Sequence, residues 1–61
     1  MYYRYFNRTT LEVYDLNINN FDTIADGLEY LFNEGFASKG DQVEPMGLVE
    51  LPAWQIWKIM V

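Results

Sequence analysis

The sequence contains no cysteine and no histidine. The first absence excludes disulfide staples, thiol nucleophiles and thiolate metal clusters. The second removes imidazole, the usual proton carrier near neutral pH and a common metal ligand. Basic residues are also scarce. Four Lys and Arg stand against nine Asp and Glu, for a formal charge of −5. Non-specific nucleic-acid binding needs the opposite balance, because phosphate contacts dominate it. No apolar run approaches the ~20 residues of a membrane span. Serine occurs once, as Ser38, with no histidine to activate it. No glycine loop suited to cradling phosphates is visible. A catalytic cleft of ~300 Å³ or more is also hard to carve from 61 residues. The chain is therefore not expected to be an enzyme, and no cofactor or metal is expected.

What is present is apolar and aromatic. Half of the residues, 51%, are hydrophobic and 18% are aromatic, so the chain is not a disordered acidic tail. With 61 residues it is long enough for one domain only. Below ~70–80 residues a core rarely supplies more than ~3–5 kcal/mol. Without disulfides or thiolate metal sites, a partner or self-association is the expected support. Met1 is followed by Tyr-Tyr-Arg-Tyr-Phe, which lacks the apolar stretch and small-residue cleavage site of a secretory leader. The chain is expected to be soluble and cytoplasmic, with no membrane contact.

Charge is unevenly distributed. Residues 1–11 carry Arg4 and Arg8 and no acid. Residues 12–50 carry all nine acids and one base, Lys39. Residues 51–61 carry Lys58 alone. The middle of the chain should produce a negative field.

Residues 2–6 are aromatic-rich and read as a strand. Asn7-Arg8-Thr9-Thr10 reads as a hairpin turn. Residues 11–18 read as a second strand with a change of phase. Leu11 and Val13 share one face, and Tyr14, Leu16 and Ile18 share the other. Such a change implies a bulge or a strand covered on both faces. Residues 20–34 carry the helical signature. Phe21, Ile24, Ala25, Leu28, Leu31 and Phe32 form one apolar stripe. Asn20 is the expected N-cap, Asp22 lies in the first turn, and Gly35 is the expected stop, with Phe36 placed to touch Leu31. Gly27 sits mid-helix at the border of the stripe, where glycine costs about 1 kcal/mol relative to alanine. Either something approaches closely there or the cost is tolerated. Residues 37–47 read as a loop, with a short strand possible at 46–51. Residues 53–61 read as a strand apolar on both faces, with a helix starting at Pro52 as the competing reading. The expected fold is a small α+β domain. A three- to four-stranded, mainly antiparallel sheet carries one α-helix on one face, in the order β-β-α-β.

Several groups are candidates for function. Asp22, Asp26, Glu29 and Asn33 fall on one helix ridge opposite the apolar stripe, flanked by Tyr30. They read as a docking surface for a basic partner, with Tyr30 as its anchor. The ordinary alternative, a solvated helix face, is the rule on amphipathic helices. Tyr3 and Tyr5, with their aromatic neighbours, read as a sheet face or edge open to a partner, or as rings packed on a strand. Trp54 and Trp57 would point to opposite faces of a strand, so one of them must meet something other than the helix. Asp15, Asn17 and Asn19 open like a calcium loop with Asp26 at position 12. That resemblance lacks the glycine at position 6, which is Asn20, and the helix that should precede it.

These readings converge on a small acidic protein–protein interaction module. It would be a stoichiometric inhibitor or adaptor of a larger protein with a basic surface, including a mimic of nucleic-acid charge on a basic groove. By size and charge alone it is comparable to the small acidic proteins with which phages disable host or defence enzymes. The alternative is a structural homo-oligomer assembled through the aromatic strands. Direct nucleic-acid binding and a calcium loop at 15–26 come after both.

Overall fold

The computed structural model describes residues 1–50. Within them lie strand β1 (Tyr2–Asn7), strand β2 (Val13–Asn17), a single 3-10 turn (Ile18–Asn20), helix α1 (Ile24–Asn33) and strand β3 (Val43–Val49). The three strands form one antiparallel sheet in the order β2-β1-β3. It is a small α+β fold. The strand or helix expected over 53–61 lies outside the described residues, and so do Trp54 and Trp57.

The strand β1 is central because its alternation serves both neighbours. Tyr3, Tyr5 and Asn7 share one face. Tyr3 pairs with Leu16 and Tyr5 with Tyr14 across β2. Helix α1 lies on this face, where the Tyr5 hydroxyl donates to the Ile24 carbonyl oxygen at 2.8 Å. Tyr5, Tyr14, Leu16, Leu31 and Ala37 form the buried core, with Tyr3, Phe21, Ile24, Leu28, Tyr30, Phe32 and Val43 packed around it. Burying a large apolar side chain contributes about 1.5–3 kcal/mol. The core is therefore built from two strands, the helix and the loop that follows the helix.

The phase change in the second strand has a local cause. Leu11 is not in the strand. It sits in the hairpin connection at φ 67, a left-handed conformation that is strained for leucine, and is 73% exposed. Val13 then faces away from the helix, and Tyr14 and Leu16 are buried. β2 pairs with β1 without a bulge, and the successive burial of Tyr14, Asp15 and Leu16 shows it covered on both faces there.

The helix is shorter than the periodicity implies. Asn17 ends β2 and its side chain accepts from the Asn19 N–H at 2.9 Å, which caps the 3-10 turn. Phe21 is extended, and Thr23, in place of the expected Asn20, is the N-cap of α1. Its hydroxyl accepts from the Asp26 N–H at 3.2 Å. Asp22 therefore precedes the helix. Ala25 is exposed and Gly27 is buried, so the buried stripe is rotated toward the glycine. Gly35 ends the helix at φ 83. The N–H of Ala37 closes the end by donating to the Leu31 carbonyl at 3.0 Å.

The third strand begins earlier than the loop residues suggest. Pro45 and Gly47 lie inside β3. Among the described strands β3 is an edge, where proline is tolerated because no ladder hydrogen bond is lost on the open side. The pairing slips between Arg4–Gly47 and Tyr5–Pro45, so Met46 is the extra residue of a bulge.

Candidate interaction surface

Two surfaces follow from this frame. The first is the outer side of α1. Asp22, Asp26, Glu29 and Asn33 are all exposed. The first three have no basic partner among the described residues, whose ion pairs are Arg4–Asp15 and Arg8–Glu44. The second pair, at 3.9 Å between exposed groups, is weak. The acidic ridge therefore lies open, with Asp22 contributed by the segment ahead of the helix instead of its first turn.

Tyr30 is not a free solvent-facing ring. It is half-buried and packed between two others. Its centroid is 5.1 Å from that of Phe21 in an edge arrangement and 6.0 Å from that of Phe36 in a tilted one. Phe36 is 41% exposed, and the ring contact it makes is with Tyr30. Sequence periodicity missed this row because Phe21 and Phe36 lie outside the helix at either end.

The second surface is the face of the sheet turned away from α1. By register it carries Tyr2, Arg4 and Phe6 of β1, Val13, Asp15 and Asn17 of β2, and Glu44 and Val49 of β3. At its centre Arg4 holds Asp15 directly across the strand pair. The guanidinium donates through Nε to Oδ1 at 2.8 Å and through Nη2 to Oδ2 at 3.0 Å. The Asp15 side chain is 3% exposed and that of Arg4 is 35% exposed. Hydrogen bonding to Asp15 pushes the Arg4 pKa further above its ordinary value. This bidentate pair occupies the carboxylate that would open a calcium loop. Residues 15–26 run through strand, 3-10 turn and helix start and form no ligand loop. Among the described residues no three carboxylates converge as metal ligands.

Tyr3 and Tyr5, both expected on a partner surface, lie on the helix face. Tyr5 is fully buried, and Tyr3 is half-buried against the core. The reason is strand parity. The odd positions of β1 point under α1, so the rings left for the other face are Tyr2 and Phe6. Burial pushes the Tyr5 hydroxyl up to about 12, with the nearby Tyr3 and Asp26 charges adding to it.

The sequence reading also passed over Asn7, taking it as a turn residue. It is fully buried and joins three segments. Its Nδ2 donates to the Tyr14 hydroxyl at 3.1 Å and to Asp41 Oδ2 at 3.0 Å. Its Oδ1 accepts from the Thr9 and Thr10 N–H groups at 3.0 and 3.2 Å. The available signal was an Asn heading a polar tetrapeptide, the pattern of a side chain that caps its own turn. The hydrogen bond from Asn7, then that from the Ser38 N–H, hold the Asp41 carboxyl below its ordinary pKa.

No helix among the described residues is long and apolar enough to cross a membrane. Comparison with protein families, with curated proteins and with solved structures found no match.

Proposed function

We propose that the protein is a small acidic interaction module that docks on the basic surface of a larger protein as a stoichiometric inhibitor or adaptor. The observation that carries this reading is the open acidic ridge. Asp22, Asp26 and Glu29 stand exposed without a basic partner among the described residues. Like charges gathered on one side of a small domain steer an oppositely charged partner and speed its encounter. The rest of the charge pattern supports it, since the nine acids all lie within 12–50, with Lys39 as the lone base there. The role is non-catalytic. A basic groove that ordinarily holds nucleic acid is one surface this charge would fit.

The test is capture of partners on the immobilised protein at low and high salt, with the variant Asp22→Asn, Asp26→Asn, Glu29→Gln as the control. The expected result is a partner in near-equal amount that is released by salt and absent from the neutralised variant. Retention of the same proteins by the variant, unaffected by salt, would remove the electrostatic reading.

A second reading draws on the sheet face opposite α1, where Val13 is 50% exposed beside half-buried Phe6 and Tyr2. Two copies joined through that face would keep a mass that is a multiple of 7.2 kDa on dilution.

A further inference from the structure

The acidic side of α1 is not uniformly polar. Residues 26, 30 and 34 follow at four-residue spacing, so Asp26, Tyr30 and Glu34 rise along one line of the helix. Phe21 packs on Tyr30 from the segment before α1, and Phe36 packs on it from the segment after. The outcome is a row of three rings along the helix, with Asp22 next to Phe21 in sequence and Asp26 and Glu34 one turn either side of Tyr30. Asp22, Asp26 and Glu34 are exposed, and none has an ion-pair partner among the described residues. Phe36 leaves 41% of its surface in water. The Tyr30 hydroxyl has no hydrogen-bond partner among the described residues.

We propose that this row is where a partner protein seats an arginine-bearing basic segment, one guanidinium stacking on Phe36 and Tyr30 while Asp26 and Glu34 receive its charge. This rests on the acidic docking reading and names the chemistry of its partner. Charge complementarity selects the occupant. The patch is apolar in the middle and anionic at both ends, which suits a cation with a flat, weakly hydrated face. Arginine meets that description and lysine does not. The guanidinium plane stacks on an aromatic face, whereas the ammonium is a compact, strongly hydrated charge. A purely apolar partner would leave the flanking carboxylates facing nothing. An acidic partner would be repelled.

The test uses short peptide amides as probes: tetra-arginine, tetra-lysine and tetra-citrulline, which keeps the shape of arginine without its charge. Binding to the whole protein is followed by NMR, reading the ring signals of Tyr30 and Phe36. Tetra-arginine is expected to bind and to move both sets of ring signals. Tetra-lysine is expected to bind about two- to fivefold more weakly, the scale of an exposed cation–π contact. Tetra-citrulline is expected not to bind. Phe36→Leu, which keeps an apolar side chain and removes the aromatic face, should erase the preference for arginine over lysine. Tyr30→Leu provides a second reading of the same effect, with thermal melting confirming that each variant is folded. Equal binding of arginine and lysine, unchanged by Phe36→Leu, would overturn the stacking proposal and leave the acidic ridge intact. Absence of binding by either cationic peptide at low salt would overturn both.

Discussion

The Tyr5 hydroxyl fills the space that a Cβ would need at Gly27. A methyl group built there overlaps the hydroxyl oxygen, meets Tyr5 Cζ at 3.0 Å and meets Leu16 Cδ1 at 3.2 Å. The same hydroxyl donates to the Ile24 carbonyl, one turn earlier in the helix. Helix and sheet are thus held at a spacing that only glycine permits. Gly27→Ala gains about 1 kcal/mol of helix propensity and loses more through overpacking. A net loss of about 2 kcal/mol is expected in urea unfolding. Tyr5→Phe in the same chain should recover part of it, because the overlapping oxygen is gone. An alanine variant more stable than the parent would show that the two residues do not meet.

The same tyrosine sets a limit at high pH. Its pKa rises from 10.0 in the unfolded chain to about 12 in the folded one. The folded state therefore holds this proton more tightly than the unfolded state does. The contribution to stability is complete below pH 10 and is lost as pH climbs toward 12. The Tyr5→Phe variant should lack that part of the decline. Identical alkaline unfolding curves for the two proteins would refute the assignment.

Arg4 and Asp15 are unequal partners. The carboxylate is 3% exposed and the guanidinium 35%. Removing the arginine strands a buried charge, whereas removing the acid leaves a long side chain that can extend toward water. Arg4→Met is expected to cost about 3 kcal/mol, the lower end for a broken buried pair. Asp15→Leu should cost distinctly less. Chemical unfolding of both variants settles the order, and equal losses would contradict the burial difference.

Asn7 is the polar counterpart of the apolar core. Asn7→Ala removes one hydrogen bond each from the Tyr14 hydroxyl and Asp41, which keep those to the Phe36 carbonyl and from the Ser38 N–H, and takes the side-chain acceptor from the Thr9 and Thr10 N–H groups; a loss of about 1–3 kcal/mol follows. Because the folded chain depresses the Asp41 pKa, its contribution is present above the ordinary carboxylate range and disappears as pH falls through the lowered value. The acid sensitivity of the parent and the Asn7→Ala variant should differ there. Superimposable acid unfolding profiles would separate Asn7 from Asp41.

Leu11 offers a gain. Its φ of 67 is costly for leucine, and its side chain, 73% exposed, packs little. Asn tolerates the left-handed region far better. Leu11→Asn is expected to raise stability by about 0.5–1 kcal/mol. A lower melting temperature would mean that the leucine makes contacts its exposure does not suggest.

Much of the frame was legible in the sequence because period and punctuation agreed. Residues 2–6 are aromatic-rich and lie in β1, Leu28 and Leu31 fall on the helical stripe, and Gly35 ends the helix at the expected place. The failures share a physical origin, which is competition between near-equal local options. Both Asn20 and Thr23 can cap a helix, and Asn17 tipped the choice by capping a 3-10 turn first. Pro45 and Gly47 signal a loop, and an edge position among the described strands removes the penalty. Parity along β1 could be read from the sequence, but which parity faces the helix could not. That is why the sequence leaves Tyr3 and Tyr5 between an open face and packed rings, and the structure packs them under α1, Tyr5 fully and Tyr3 in part. The acidic ridge was legible, since charge on the outer side of an amphipathic helix needs no tertiary information. The ring row was not, because Phe21 and Phe36 join Tyr30 only through tertiary packing.

The central place of β1 has a consequence for synthesis. Its ladder with β2 closes across a short connection, but its ladder with β3 joins Tyr2 to Val49 and Asn7 to Val43. A nascent chain emerging from the ribosome can form the hairpin early. It cannot complete the sheet until Val49 has cleared the exit tunnel. Through that interval the side of β1 that β3 will occupy offers unpaired N–H and C=O groups to any strand nearby. Until then that side of β1 is a template awaiting β3, while Tyr3 and Tyr5 already have β2 and α1 to pack on.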